Sequence, residues 1–184
     1  MFIRTERNIL KAYKGEARSK GAYLLFARQA ESEGHYQVAR LFRAAAFSEG
    51  VHAQWLLRSL RETSQMTNAA WEGQRCVLAV RNGDTVENLK NAIGGETIEF
   101  VSMFPEMIRD AAQEGWEFAH ECFTCLNLVE LVHVGLFSSA LERIGRNPPA
   151  PYYVCESCGN VLEGKPGDLC TICEAPPVLF QLVD

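Results

Sequence analysis

The chain has 184 residues, 47% of them hydrophobic and 22% charged, which is enough apolar side chain for one packed domain plus a small appendage. Eighteen Lys and Arg against twenty-three Asp and Glu leave a net charge of −5, and with no basic run the composition argues against nucleic-acid or anionic-membrane binding. Seven cysteines, together with a start (MFIRTERNILKAYKGE) that is charged from Arg4 and has no apolar leader, predict metal or thiol chemistry in a reducing cytoplasm.

The first helix is expected over 5–32, with Thr5 as its N-cap and Glu16 on its apolar face. After a short Glu33-Gly34 turn, a second helix is expected over 35–62, carrying Glu49-Gly-Val-His52. A spacing of three puts carboxylate and imidazole on one helix face, and that face is the apolar one, flanked by Phe42, Ala45 and Leu56. Residues 63–84 read as a polar connection with Gly73, Asn82 and Gly83. It is long enough to run back along a helix pair of on the order of 40 Å.

A third helix is expected over 85–112, capped by Thr85, carrying Glu96 and Glu99, and kinked or interrupted at Pro105. The fourth, over 116–144, carries Glu130-Leu-Val-His133. Its stretch 122–141 imitates a membrane span, with Glu130 as the only formal charge. Yet Glu130 and His133 lie within the apolar stripe Phe123, Leu126, Phe137 and Leu141, near the middle, where a bilayer tolerates ionisable groups poorly. The segment reads as a buried helix with polar cargo.

These four helices are two copies of one unit. Thr5, Asn8, Ala12, Gly15 and Glu16 recur 80 residues later as Thr85, Asn88, Ala92, Gly95 and Glu96. Glu33, Gly34, Phe42, Glu49 and His52 recur 81 residues later as Glu114, Gly115, Phe123, Glu130 and His133. Two antiparallel helix pairs joined by one long crossover make an all-α ferritin-like four-helix bundle, expected over 1–146. Pro148, Pro149 and Pro151 make 147–151 a stiff linker. The remaining piece, 152–184, is too small for a self-sufficient core and needs a staple.

A buried glutamate costs several kcal/mol, on the order of the ion-burial penalty, unless it is neutralised. Two Glu-x-x-His pairs at repeat-related positions, with Glu16 and Glu96, form the ligand inventory of a dinuclear carboxylate site in a bundle. Glu99 has no counterpart, because Ser19 holds the equivalent position. It is either a solvated or supporting carboxylate, or a spare ligand that exchanges with a histidine as iron changes charge. In the tail, Cys155-Glu-Ser-Cys158 and Cys170-Thr-Ile-Cys173 offer four thiolates for one tetrahedral ion, zinc or iron, with disulfides disfavoured in a reducing compartment. Cys76, Cys122 and Cys125 are assigned no chemistry; Tyr23, Phe26 and Phe104 are read first as bundle core.

The segments KGEARSKGAYLLFARQAESEGHYQVARLF, SEGVHA, GGETIEFVSMFPEM and VELVHV, followed by a C-x-x-C-G tail, resemble the rubrerythrins over nearly the whole chain. The resemblance implies a non-haem iron peroxide reductase, with a ferritin-like di-iron domain and a C-terminal rubredoxin-like domain. It implies di-iron ligands Glu16, Glu49, Glu96, Glu99, Glu130 and His133, with His52 replacing Glu99 on one iron upon reduction. Cys155, Cys158, Cys170 and Cys173 would hold the rubredoxin-type iron. Implied partners are hydrogen peroxide, an electron-donor protein such as a rubredoxin or its reductase, and a second copy of the chain in a head-to-tail homodimer or larger assembly. The reach from His133 through the linker, about 16 Å of helix and up to about 20 Å of extended chain, leads to the same expectation of a tail lying beyond its own bundle. Three residues depart from the family pattern: Phe104 for tyrosine, Asn160 for an aromatic residue and Thr171 for proline, whereas Tyr23 matches. A ferritin-type iron oxidation or storage protein, and the same fold with structural zinc in the tail, are the rival readings.

Overall fold

The computed structural model describes residues 3–63 and 82–184. The long crossover and Cys76 therefore fall almost wholly outside the described residues. Helix α1 spans Ile3–Ser32 and α2 spans Tyr36–Thr63, joined by a turn in which Gly34 takes φ 80°. Helix α3 spans Thr85–Ile98 and passes through a π-helical turn, Glu99–Met103, into α4, Phe104–Glu114; α5 spans Glu117–Glu142.

The third helix is thus interrupted ahead of Pro105 rather than at it. The amide of Phe104 bonds to the carbonyl of Glu99, five residues back. Pro105, which has no amide, then stands in the first turn of α4, where none is needed. The wide turn begins at Glu99 itself, the carboxylate that breaks the repeat.

The expected N-caps are also corrected. Asp84 caps α3, accepting from the amide of Glu87 in a capping box, and Thr85 is the first residue inside the helix. Thr85 gives its amide to Glu33 Oε2 at 3.0 Å, and Thr5, inside α1, gives its amide to Glu114 Oε2 at 3.0 Å. Glu33 and Glu114 are the repeat-related turn residues, so each half supplies an acceptor to the first helix of the other. A threonine hydroxyl is not needed where a carboxylate already takes the free amide.

Two apolar clusters lie along the bundle. One gathers Tyr23, Phe26, Phe42 and Phe137; the other gathers Ile9, Leu56, Phe104, Phe123 and Leu126. On α1, α2 and α5 the buried glutamates and histidines fall between the two: Glu16 on α1, Glu49 and His52 on α2, Glu130 and His133 on α5. Helix α5 has the length and composition of a membrane span, but its polar pair is packed into this layer at the centre of the bundle.

Beyond α5 the chain turns back. Asn147 closes the helix end by donating to the carbonyls of Ala140 and Arg143. Gln37 of α2 grips the linker at both groups of Ala150, donating to its carbonyl at 3.0 Å and accepting its amide at 3.1 Å. Strands β1 (Tyr152–Cys155), β2 (Val161–Glu163) and β3 (Phe180–Val183) form an antiparallel sheet in the order β2-β1-β3. Tyr152, Val154 and Val161 join the first bundle cluster. The expectation that the tail lies beyond the end of its own bundle is therefore wrong. The linker folds back instead of running onward, which buries the apolar face of this small sheet against the bundle.

Candidate metal centres

In the bundle, ligand-type atoms of Glu16, Glu49, His52 and Glu130 lie within 4.8 Å of one another, and so do those of Glu49, Glu96, Glu130 and His133. Glu49 and Glu130 belong to both groups, which is the arrangement of two carboxylates shared between two adjacent ions. His52 Nδ1 stands 3.1 Å from Glu49, 3.1 Å from Glu130 and 3.6 Å from Glu16. His133 Nδ1 stands 2.8 Å from Glu130, 3.6 Å from Glu49 and 3.6 Å from Glu96. The duplicated sequence has become a pseudo-two-fold site.

The donors fit a metal pair. Both oxygens of Glu16, both of Glu130, one of Glu49 and both ring nitrogens of His133 are buried without a hydrogen-bond partner. Even the 2.8 Å approach of His133 to Glu130 is not aligned as a hydrogen bond. So many unsatisfied buried atoms, converging on one place, are intolerable in an ordinary core and natural for ligands.

Electrostatics set these groups apart from one another. Burial pushes the Glu49 carboxyl well above the usual carboxylate range, reinforced by Glu130, Glu96 and Glu16. Burial with the Glu130 charge moves Glu96 to about 7, and burial with Glu16 moves Glu99 to about 11. Burial works against charge on Glu130 too, but the His52 and His133 rings outweigh it and hold that carboxyl low. His133 reaches about 9 against the cost of burial, through its close pairing with the Glu130 carboxylate and then with Glu96. Tyr23 donates its hydroxyl to Glu96, and burial followed by the Glu96 charge raises its own pKa well above 10.

Glu99 is the one candidate ligand outside both groups. Its carboxylate lies over α1, with Oε1 3.8 Å from where a side chain at Gly15 would begin. The structure therefore holds six of the seven bundle candidates together, His52 among them, and leaves the asymmetric carboxylate aside. Phe104 is fully buried beside Phe123, with no hydroxyl to offer.

In the tail, the sulfurs of Cys155, Cys158, Cys170 and Cys173 also lie within 4.8 Å of one another. Cys155 and Cys173 are 3.7 Å apart, Cys158 and Cys170 3.6 Å. Four thiolates about 2.3 Å from one tetrahedral ion stand about 3.8 Å apart, so these sulfurs fit one. Each knuckle ends in a left-handed residue, Gly159 at φ 86° and Glu174 at φ 58°. Cys122 is buried in the bundle core, its thiol pushed to about 12 by burial, while Cys125 packs against the tail cysteines.

The two centres meet on α2. Ser48 donates its hydroxyl to the carbonyl of Gly159 at 2.6 Å. A side chain at Gly159 would begin 2.6 Å from His52 Nε2 and 2.7 Å from Ser48 Oγ. His52 thus faces the carboxylates with one ring nitrogen and the cysteine knuckle with the other. Ser48 was not singled out from the sequence. Its place one residue before the first Glu-x-x-His was the available signal, but nothing local tells that the tail comes to lie there.

Comparison with known proteins gives the same picture. The rubrerythrin family model matches residues 7–141. The chain is 32% identical to the rubrerythrin of Nitratidesulfovibrio vulgaris, over 98% of this chain and 94% of that one. It is 31% identical to the nigerythrin of the same organism, over 96% and 85% of the two chains. The structure of fully reduced, all-ferrous nigerythrin superposes with a TM-score of 0.87 at 28% identity, covering 97% of this chain and 86% of that one. A bacterioferritin from Mycobacterium tuberculosis, at 15% identity and a TM-score of 0.66 over 77% of this chain and 86% of that one, shares the bundle fold.

Proposed function

The chain belongs to the rubrerythrin family of di-iron oxidoreductases, and from that premise we propose that it reduces hydrogen peroxide to water with electrons relayed through its four-cysteine centre, as a cytoplasmic defence against oxidative stress. The observation that carries the reading is the contact between His52 and the Gly159 knuckle, which joins a two-ion carboxylate site to a thiolate site. A storage protein has no use for such a junction.

Glu16, Glu49, Glu96, Glu130, His52 and His133 would hold two iron ions, and Cys155, Cys158, Cys170 and Cys173 one more. Iron bound in the bundle supplies the two electrons that cleavage of the O–O bond requires. The chain's own residues do the rest. Glu49 and Glu130, common to both halves of the site, keep the pair together. Tyr23 fixes Glu96 through its hydroxyl, and the apolar clusters above and below exclude bulk water. Ser48 holds the cysteine knuckle against His52.

The decisive experiment is anaerobic peroxide consumption by reduced protein, with iron and zinc counted per chain. Consumption with three irons per chain is the expected result. Protein with full iron that leaves peroxide untouched overturns the reading, and a colourless tail filled with zinc overturns the relay.

The tail seated on its own bundle supports electron transfer within one chain. The same knuckle presented by a partner's tail is the head-to-tail alternative. Mixing Cys158→Ser with Glu130→Ala protein separates them: recovered activity in exchanged dimers means transfer between chains, and none means transfer within.

A further inference from the structure

Asn160 stands two residues after Cys158, where an aromatic residue is usual, and it is fully buried. Its backbone already does what the knuckle needs: the carbonyl accepts from the amide of Cys155 at 2.9 Å, and the amide donates to Cys158 Sγ at 3.5 Å. The side chain adds something else. Nδ2 donates to Cys170 Sγ, on the opposite knuckle, at 3.6 Å. The other end of the amide, Oδ1, is buried with no partner.

A buried amide satisfied on one side alone is a poor stabilising device, since the unpaired oxygen keeps its full desolvation cost. An aromatic or aliphatic side chain would fill the same space without that cost. Sulfur charge explains the orientation, because an amide oxygen turned toward Cys170 would face a thiolate. It also gives the bond a consequence. When a four-thiolate iron centre accepts an electron, negative charge on its sulfurs rises, and a donor aimed at one of them is held more strongly.

We infer that Asn160 is a positioning residue that raises the reduction potential of the four-cysteine centre through its hydrogen bond to Cys170. The inference rests on the reading above only in taking that centre to be iron. Neutral and fixed by burial, the carboxamide favours the reduced form without adding charge.

The test is the midpoint potential of the centre, measured by spectroelectrochemistry on the iron-loaded full chain without peroxide. Asn160→Leu and Asn160→Ala should each lower the reduction equilibrium constant about tenfold, about 59 mV for one electron. The ferric–thiolate absorption should persist, and thermal stability of the leucine variant should be equal or higher. An unchanged midpoint in either variant that retains iron overturns the inference. The wild-type chain carries a second test that needs no variant to fold. With a spin-active cadmium isotope in the four-cysteine site, scalar coupling from the Asn160 side-chain amide protons to cadmium supports the bond, and its absence refutes it. Neither measurement involves turnover, so failure of the peroxide reaction would be seen separately.

Discussion

Ser48 and Gly159, 111 residues apart in the chain, are joined by a 2.6 Å hydrogen bond that fixes the tail against the bundle histidine His52. Both are fully or nearly enclosed at this contact, and Gly159 has no room for a side chain. A left-handed backbone and a neighbour at 2.6 Å act together here. Gly159→Ala should therefore cost about 1–2 kcal/mol of backbone strain and push the knuckle off His52. Iron should stay in the four-cysteine site, judged by its absorption, while electron transfer to the bundle, followed by stopped flow, slows more than about tenfold. Native transfer rates in this variant would separate the contact from the electron path.

Ser48→Ala makes the milder change. It removes one hydrogen bond and leaves a buried carbonyl on Gly159, a loss of about 1–3 kcal/mol. Hydrogen exchange at the tail amides should quicken while metal content in the bundle is unchanged. Unaltered exchange would show that the tail is held without this bond, by its apolar face and the Gln37 grip.

Glu130→Ala and His133→Ala should each remove at least one metal ion from the bundle and lower peroxide consumption by about a hundredfold or more. Glu130 is shared by both groups of ligands and is the one carboxyl that the two histidines hold low against burial. Full metal content in either variant would end its assignment as a ligand.

Glu99 lies outside the ligand groups while His52 lies inside. Glu99→Gln should then leave reduced protein with two bundle irons and weaken binding in the oxidised protein; His52→Ala should do the reverse. Crystals of oxidised and reduced wild type with the same ligands in both would refute an exchange between these residues.

Acid should weaken the crossed caps. Accepting the Thr5 amide holds the Glu114 carboxyl at about 2, and the Thr85 hydroxyl leads the lowering of Glu33. A carboxyl depressed in the folded state stabilises fully above its unfolded value of about 4.3 and loses that contribution as pH falls toward about 2. At neutral pH Glu114→Ala should cost about 1 kcal/mol in urea titrations. That gap should close between about pH 4.5 and about pH 2; a gap that persists in acid would assign the effect to packing.

Much of the bundle site was legible because it is written twice. Glu-x-x-His at repeat-related positions on apolar faces announces a shared polar layer, and Glu16 and Glu96 fall into it. The tail cysteines were equally plain from spacing. Most of what was not legible depends on contacts more than 50 residues apart in sequence. Thr5 and Thr85 looked like caps because local pattern cannot reveal a glutamate arriving from the other half. Pro105 marked an interruption but not the π turn before it, a local bond from Phe104 to Glu99 that no residue pattern announces. The tail's return to α2 rests on Gln37, Ser48 and the apolar face of a three-stranded sheet, none of which carries a motif.

Each half lends a glutamate to the start of the other: Thr5 gives its amide to Glu114, and Thr85, just inside the Asp84 cap, gives its amide to Glu33. A helix hairpin with this threonine at its start and this glutamate at its turn is self-complementary, so two copies related by a two-fold axis would satisfy each other as the halves do here. The covalent join raises the local concentration of the second hairpin rather than creating the match. It also frees the two copies to diverge. Within one fused chain, one hairpin can hold Ser19 while its twin holds Glu99, which sets a single inequivalent carboxylate beside an otherwise symmetric set of ligand-type side chains.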